Sequence, residues 1–169
     1  MIEFSEKCLY YDNKEGENMA KYDALTIAKW FILRDEQEDS EKMTLLKVLK
    51  LLYYAEGCFL ALGKGSLFSE EIVAWEHGPV VVEVYEHFPD AYNLDIAEKN
   101  IDELGIDEND IYILEQVYQV FGAYSAWALR NKTHQETPWL EATKGGIMLR
   151  TIIDRDVIEK YFKENYIAE

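Results

Sequence analysis

The run LLKVLKLLYYAEGCFLAL, Leu45 to Leu62, decides how this chain folds. Leu45, Leu49, Leu52, Phe59 and Leu62 fall on one face at helical spacing, while Val48, Leu51, Tyr53 and Tyr54 fill most of the rest. A helix that is apolar nearly all round offers no side to water, so it must lie among other elements. Thr44 stands where an N-cap belongs, and Gly63-Lys64-Gly65-Ser66 closes the run. The chain is therefore organised around one buried helix.

Working outward, the spacing of Leu25, Ala28 and Ile32, with Trp30, Phe31 and Leu33 beside them, predicts a helix from Tyr22. The acidic run from Asp35 to Asp39 ends it in solvent. On the other side, Leu67-Phe68 is expected to pair with Ile72 to Trp75 as a small hairpin. Gly78-Pro79 then reads as the start of a short helix, proline in its first turn, with Val81, Val84, Tyr85 and Phe88 as its apolar stripe. An acid-rich connector, Asp90 to Asp110, carries one basic residue, Lys99. Asp107 or Asn109 starts a second long helix bearing Ile111, Leu114, Tyr118, Phe121, Ser125 and Ala128. A polar loop from Asn131 to Thr137 follows. Thr137-Pro138 opens a short helix, Gly145-Gly146 breaks it, and Asp154 caps a last one carrying Val157, Ile158, Tyr161 and Phe162. The expectation is a mainly α fold: one compact domain over residues 19–169, about six helices and a small β-hairpin. Residues 1–18 read as an N-terminal extension, with a turn at Asp12 to Gly16.

The 169 residues suffice to bury a core, and 49% apolar against 30% charged is a globular balance. The formal charge of −16 is unusual. It disfavours direct nucleic-acid binding, which needs clustered Lys and Arg, and docking on an anionic membrane. It would steer a basic partner inward, and a solubilising coat explains it equally well. No apolar stretch approaches the ~20 residues of a membrane span, and no basic-then-apolar leader opens the sequence. Cys8 and Cys58 are too few for a disulfide framework. A reducing cytoplasm is the expected compartment.

Chemistry is hard to find. Gly63-Lys64 fails as a phosphate-binding loop, because five residues separate Gly57 from Gly63 and Gly65 stands where Ser or Thr is needed. His77, His87 and His134 are the only histidines, with no zinc-type spacing, so no metal and no cofactor are expected. Cys58 sits in the apolar helix, where a thiol is inert. His134 offers a base without a placed nucleophile, so no catalytic set is defined. The acidic tract Asp35 to Glu41 reads as a solvated helix end before it reads as a phosphate mimic. Trp75 and Trp139 suit either a core or an interface anchor.

Three segments then read together: LKVLKLLYYAEG (Leu46 to Gly57), AWEHGPVVVEVY (Ala74 to Tyr85) and THQETPWLEA (Thr133 to Ala142). In this order the chain resembles the SocA-like antitoxin family, the Panacea domain, over roughly Tyr22 to Phe162. The matching positions are Lys47, Lys50, Leu51, Leu52, Tyr53 and Tyr54 on the helix. Trp75, His77, Gly78, Pro79, Val80 and Tyr85 match at the corner, and Thr133, His134, Pro138 and Trp139 in the loop. Leu49 and Cys58 depart from the family pattern, which commonly has Gln and Trp there. The resemblance implies an antitoxin of bacteria and their phages that neutralises a neighbouring-gene toxin by direct protein–protein binding. It also implies a helical fold without cofactor. One member is similar to a proteolytic adaptor that hands its toxin to an ATP-dependent protease, which gives a second expectation; an enzyme modifying the toxin is a third. His77 and His134 are expected to lock corner and loop together, leaving partner contacts to nearby acidic or aromatic surface.

Overall fold

The computed structural model describes residues 1–4, 19–38 and 41–168. Among them run seven α-helices: α1 (Ala24–Asp35), α2 (Leu45–Ala61), α3 (Val82–His87), α4 (Glu108–Phe121), α5 (Ala126–Thr133), α6 (Thr137–Thr143) and α7 (Arg155–Asn165). Three short strands, β1 (Ile72–Trp75), β2 (Gly78–Val81) and β3 (Thr151–Ile152), make one antiparallel sheet in the order β2-β1-β3. A 3-10 turn, Ile101–Leu104, punctuates the acidic connector. The fold is mainly α with a small β element.

Helix α2 is the axis. It packs against α1, α4, α5, α7 and β2, so its apolar surface is covered all round. From Val48 to Ala61 every side chain is buried, Lys50 and Glu56 included. Thr44 is its N-cap, accepting from the Lys47 N–H at 3.4 Å. Gly57 lets α7 come close, since a Cβ there would stand 2.4 Å from the buried Phe162 ring. Aromatic rings fill the seam, with Tyr54 stacked on Phe121 at 3.9 Å and Phe162 edge-on to Tyr53 at 5.4 Å.

Three sequence expectations need correction. The hairpin joins Ile72–Trp75 to Gly78–Val81, with Ala74 opposite Pro79, not to Leu67-Phe68. Leu67 is occupied elsewhere: its carbonyl accepts from the Tyr22 N–H and its own N–H donates to Glu56. Pro79 therefore lies in a strand, not in the first turn of a helix, which begins at Val82. Strand β2 is at the sheet edge, where a missing N–H is tolerated. The second long helix ends at Phe121, and a new one starts at Ala126. Ser125 is not a face residue of one helix but the N-cap of the next, accepting from Ala128 N–H at 3.1 Å. The loop expected from Asn131 is accordingly helical to Thr133.

Asp107 and Asp154 do cap α4 and α7, accepting from Asn109 and Asp156 N–H at 2.9 and 2.8 Å. Ile2 is buried, and its N–H donates to the Tyr166 carbonyl at 2.6 Å. The remaining extension, with Cys8 and the Asp12 to Gly16 turn, lies outside the described residues.

Candidate functional site

The matched residues gather around the β1–β2 corner and the α5–α6 junction. Gly78 is held at φ +100, in the left-handed region that glycine alone enters freely. A Cβ there would lie 2.7 Å from Thr133 Oγ1 and 2.8 Å from Lys50 Cε. Two constraints thus coincide on one residue: the turn demands glycine, and so does the approach of α2 and α5. Thr133 is buried, its hydroxyl donating to the Arg130 carbonyl at 2.8 Å.

Two side chains tie the junction to the corner. Trp139 donates its indole N–H to the Trp75 carbonyl at 3.0 Å. His134 contacts the Arg130 carbonyl through Nδ1 and the Glu76 carbonyl through Nε2, both at 2.7 Å. A neutral imidazole has a single N–H, so both contacts are hydrogen bonds only in the doubly protonated ring. His134 also lies against Trp139, ring centroids 4.0 Å apart. Pro138 is buried in the first turn of α6. The expected role of His77 is corrected: its ring is exposed and edge-on to Trp127 at 5.5 Å, and corner and loop are joined by His134 and Trp139 instead.

The lysines have separate tasks. Lys47 donates to the Gly122 carbonyl at 2.7 Å and so secures the break between α4 and α5. Lys50 is fully buried and donates to the Pro79 carbonyl at 2.7 Å. Burial pushes its ammonium down from 10.5 to about 7, and the like charge of Arg130 adds to the effect.

Tyr53 and Tyr54 reach a residue the sequence reading passed over. Both phenols donate to the Glu136 carboxylate at 2.9 Å, one to each oxygen, and Tyr166 donates to it as well. Burial raises the Glu136 carboxyl above its ordinary range, and the three phenols oppose that rise. A second buried acid, Glu56, accepts from Leu67 N–H and from Arg155 Nε, each at 2.8 Å. Arg155 also donates to the Phe68 and Glu70 carbonyls, fastening α7 to the segment before β1. Spacing gives no sign of either node, because the side chains that meet there lie 30 to 99 residues apart in the chain.

Trp75, Glu76, His77, Val80 and Tyr85 line one side of an open cleft of about 540 Å³. Leu45, Leu46, Leu49 and Lys50 of α2 form another side, and Ala91, Tyr92, Trp127, Leu149 and Arg150 complete it. Val80 is buried, while Tyr85, expected in an apolar stripe, is exposed and edge-on to Trp75 at 4.9 Å. Trp127 gave no signal in the sequence, because it stands among Ala126, Ala128 and Leu129, where a tryptophan reads as core. Chemically the region is poor in reactive groups. Cys58 is buried and its thiol is pushed up by desolvation, and no group of described residues could hold a metal ion.

Corner, junction and aromatic-walled cleft thus form one continuous region of the helical scaffold. The family model for "Antitoxin SocA-like, Panacea domain" matches residues 48–140, more than half of the chain, and contains the corner and the junction, while Leu45, Leu46, Leu149 and Arg150 of the cleft lie outside it. The chain belongs to the SocA-like, Panacea-domain antitoxin family. No curated protein and no solved structure matches it significantly. Among the described residues no helix is long and apolar enough to cross a membrane.

Proposed function

We propose that this protein is an antitoxin that silences the product of a neighbouring gene by binding it in a stoichiometric complex, without transforming it, in the cytoplasm. The observation that carries the reading is the family match over residues 48–140, which contains the interlocked corner and junction. A fixed scaffold supports such a role physically, because a preorganised surface loses little conformational entropy when a partner docks. Gly78, Thr133, His134 and Trp139 have rigid neighbours and no reactive partner within the set. Lys47, Lys50, Tyr53 and Tyr54 likewise serve the framework, each through a hydrogen bond to a distant element.

The test is co-expression with the protein encoded next to this gene. The neighbour alone should arrest growth, the pair should grow, and the two should co-purify near one to one. Rescue with falling toxin levels that vanishes in a strain lacking its ATP-dependent proteases would replace this reading with the adaptor mode. Rescue by a catalytic trace of this protein, with no complex, would replace it with an enzyme.

A further inference from the structure

We propose that the cleft between the β1–β2 corner, the first turns of α2 and the start of α5 receives the toxin, and that its occupant is an apolar segment of that protein carrying a carboxylate. This inference rests on the binding reading above and assigns it a surface and a chemistry.

The apolar half of the argument is exposure. Trp127 is 58% and Tyr92 78% exposed, and Tyr85 and Leu149 also show large faces at the same cleft. Scattered exposed apolar residues are ordinary, but aromatic residues converging on a concave, pre-formed wall mark a docking site. The wall is fixed from behind by Gly78, by the His134 contact to Glu76 and by the Trp139 bond to Trp75.

The charge half sets the occupant. The chain has 33 acids and 17 Lys or Arg, yet the cleft is lined by Lys50, Arg150 and one acid, Glu76. The exposed charges of the cleft are thus one cation, Arg150, to one acid, Glu76, where the whole chain has about two acids per base. Arg150 is exposed, with its guanidinium 5.7 Å from the Trp75 ring centroid, where a carboxylate can still take its N–H groups. Lys50 is fully buried beneath the cleft floor, its ammonium held by the Pro79 carbonyl, so Arg150 is the cation that meets the carboxylate.

The test titrates the neighbouring gene's product with wild type, Trp127→Ala, Arg150→Glu and, on the opposite helix α4, Tyr112→Ala. Trp127, Arg150 and Tyr112 are all exposed, so circular dichroism should show the fold kept. Binding should weaken about tenfold for Trp127→Ala and for Arg150→Glu, and stay within about twofold for Tyr112→Ala. Reversing toxin Asp and Glu residues to Lys one at a time should find one that weakens wild type and restores the Arg150→Glu variant. Wild-type binding with Trp127→Ala and Arg150→Glu both within twofold overturns the cleft and leaves the antitoxin reading intact. The absence of any compensating toxin carboxylate overturns the stated chemistry. No binding by wild type overturns the antitoxin reading and the cleft with it.

Discussion

Glu136 and Lys50 are both buried charged groups on or against helix α2, and they are treated in opposite ways. Glu136 is enclosed by three phenols that fill its lone pairs, drawn from α2 and from the chain's end. Lys50, equally buried, has one carbonyl for its ammonium and a cation as electrostatic neighbour. A buried polar network that satisfies every member rigidifies a core; a buried charge with a single partner is held at a cost. The contrast separates a buried charge that is fully partnered from one that its surroundings discourage.

The largest effect should come from breaking the junction that both groups share. Gly78→Ala places a Cβ at φ +100 and within 2.8 Å of Thr133 and Lys50, and should cost about 4 kcal/mol in urea unfolding. A cost under about 1 kcal/mol would mean that the corner is not the rigid element described here.

Next in size is the closed node. Glu136→Ala strands three phenol hydroxyls, two of them on buried tyrosines, and should lose about 3 kcal/mol. Glu136→Gln keeps an acceptor, and phenols can also accept, so it should stay within about 1 kcal/mol of wild type. If Gln and Ala are equally damaging, the carboxylate's charge matters more than its hydrogen bonds, and the comparison loses its basis.

The open node should give the smallest effect at neutral pH. Lys50→Met preserves length and volume, removes one hydrogen bond and removes a poorly compensated charge, so stability at pH 7 should change by about 1 kcal/mol or less. The pH dependence is more telling. The ammonium's folded value is lowered from 10.5 to about 7, so between these the unfolded chain binds a proton that the folded chain does not. Stability from this group is present above 10.5 and is lost as pH falls through about 7. Wild type should therefore gain on the Met variant as pH rises from 7 to 9. Parallel curves across that interval would show that Lys50 is not desolvated in solution.

Much of the framework is legible in the sequence. An apolar surface on every side of residues 45–62 has one physical outcome, and Thr44, Asp107 and Asp154 announce their helices through local hydrogen bonds. Local chemistry misleads where two elements share a signal. Gly-Pro fits a helix start and an edge strand equally, and the sheet decided for the strand. Ser125 carried a capping signal that helical periodicity masked.

The site was legible only in part. The corner and junction residues could be matched to a family, but spacing could not show that Tyr53 and Tyr54 meet Glu136, more than eighty residues on. Nor could it distinguish His134, bound to the corner, from His77, exposed beside Trp127. Those facts belong to tertiary packing, which the pattern of residue types does not encode.

The most direct test of the central claim is a titration of the purified neighbouring-gene product, followed by its own toxic activity. Added protein should reduce that activity in proportion and abolish it near one equivalent, with a complex of both chains recovered afterward. Complete inactivation at a few hundredths of an equivalent, with the two chains then eluting apart, would contradict the account.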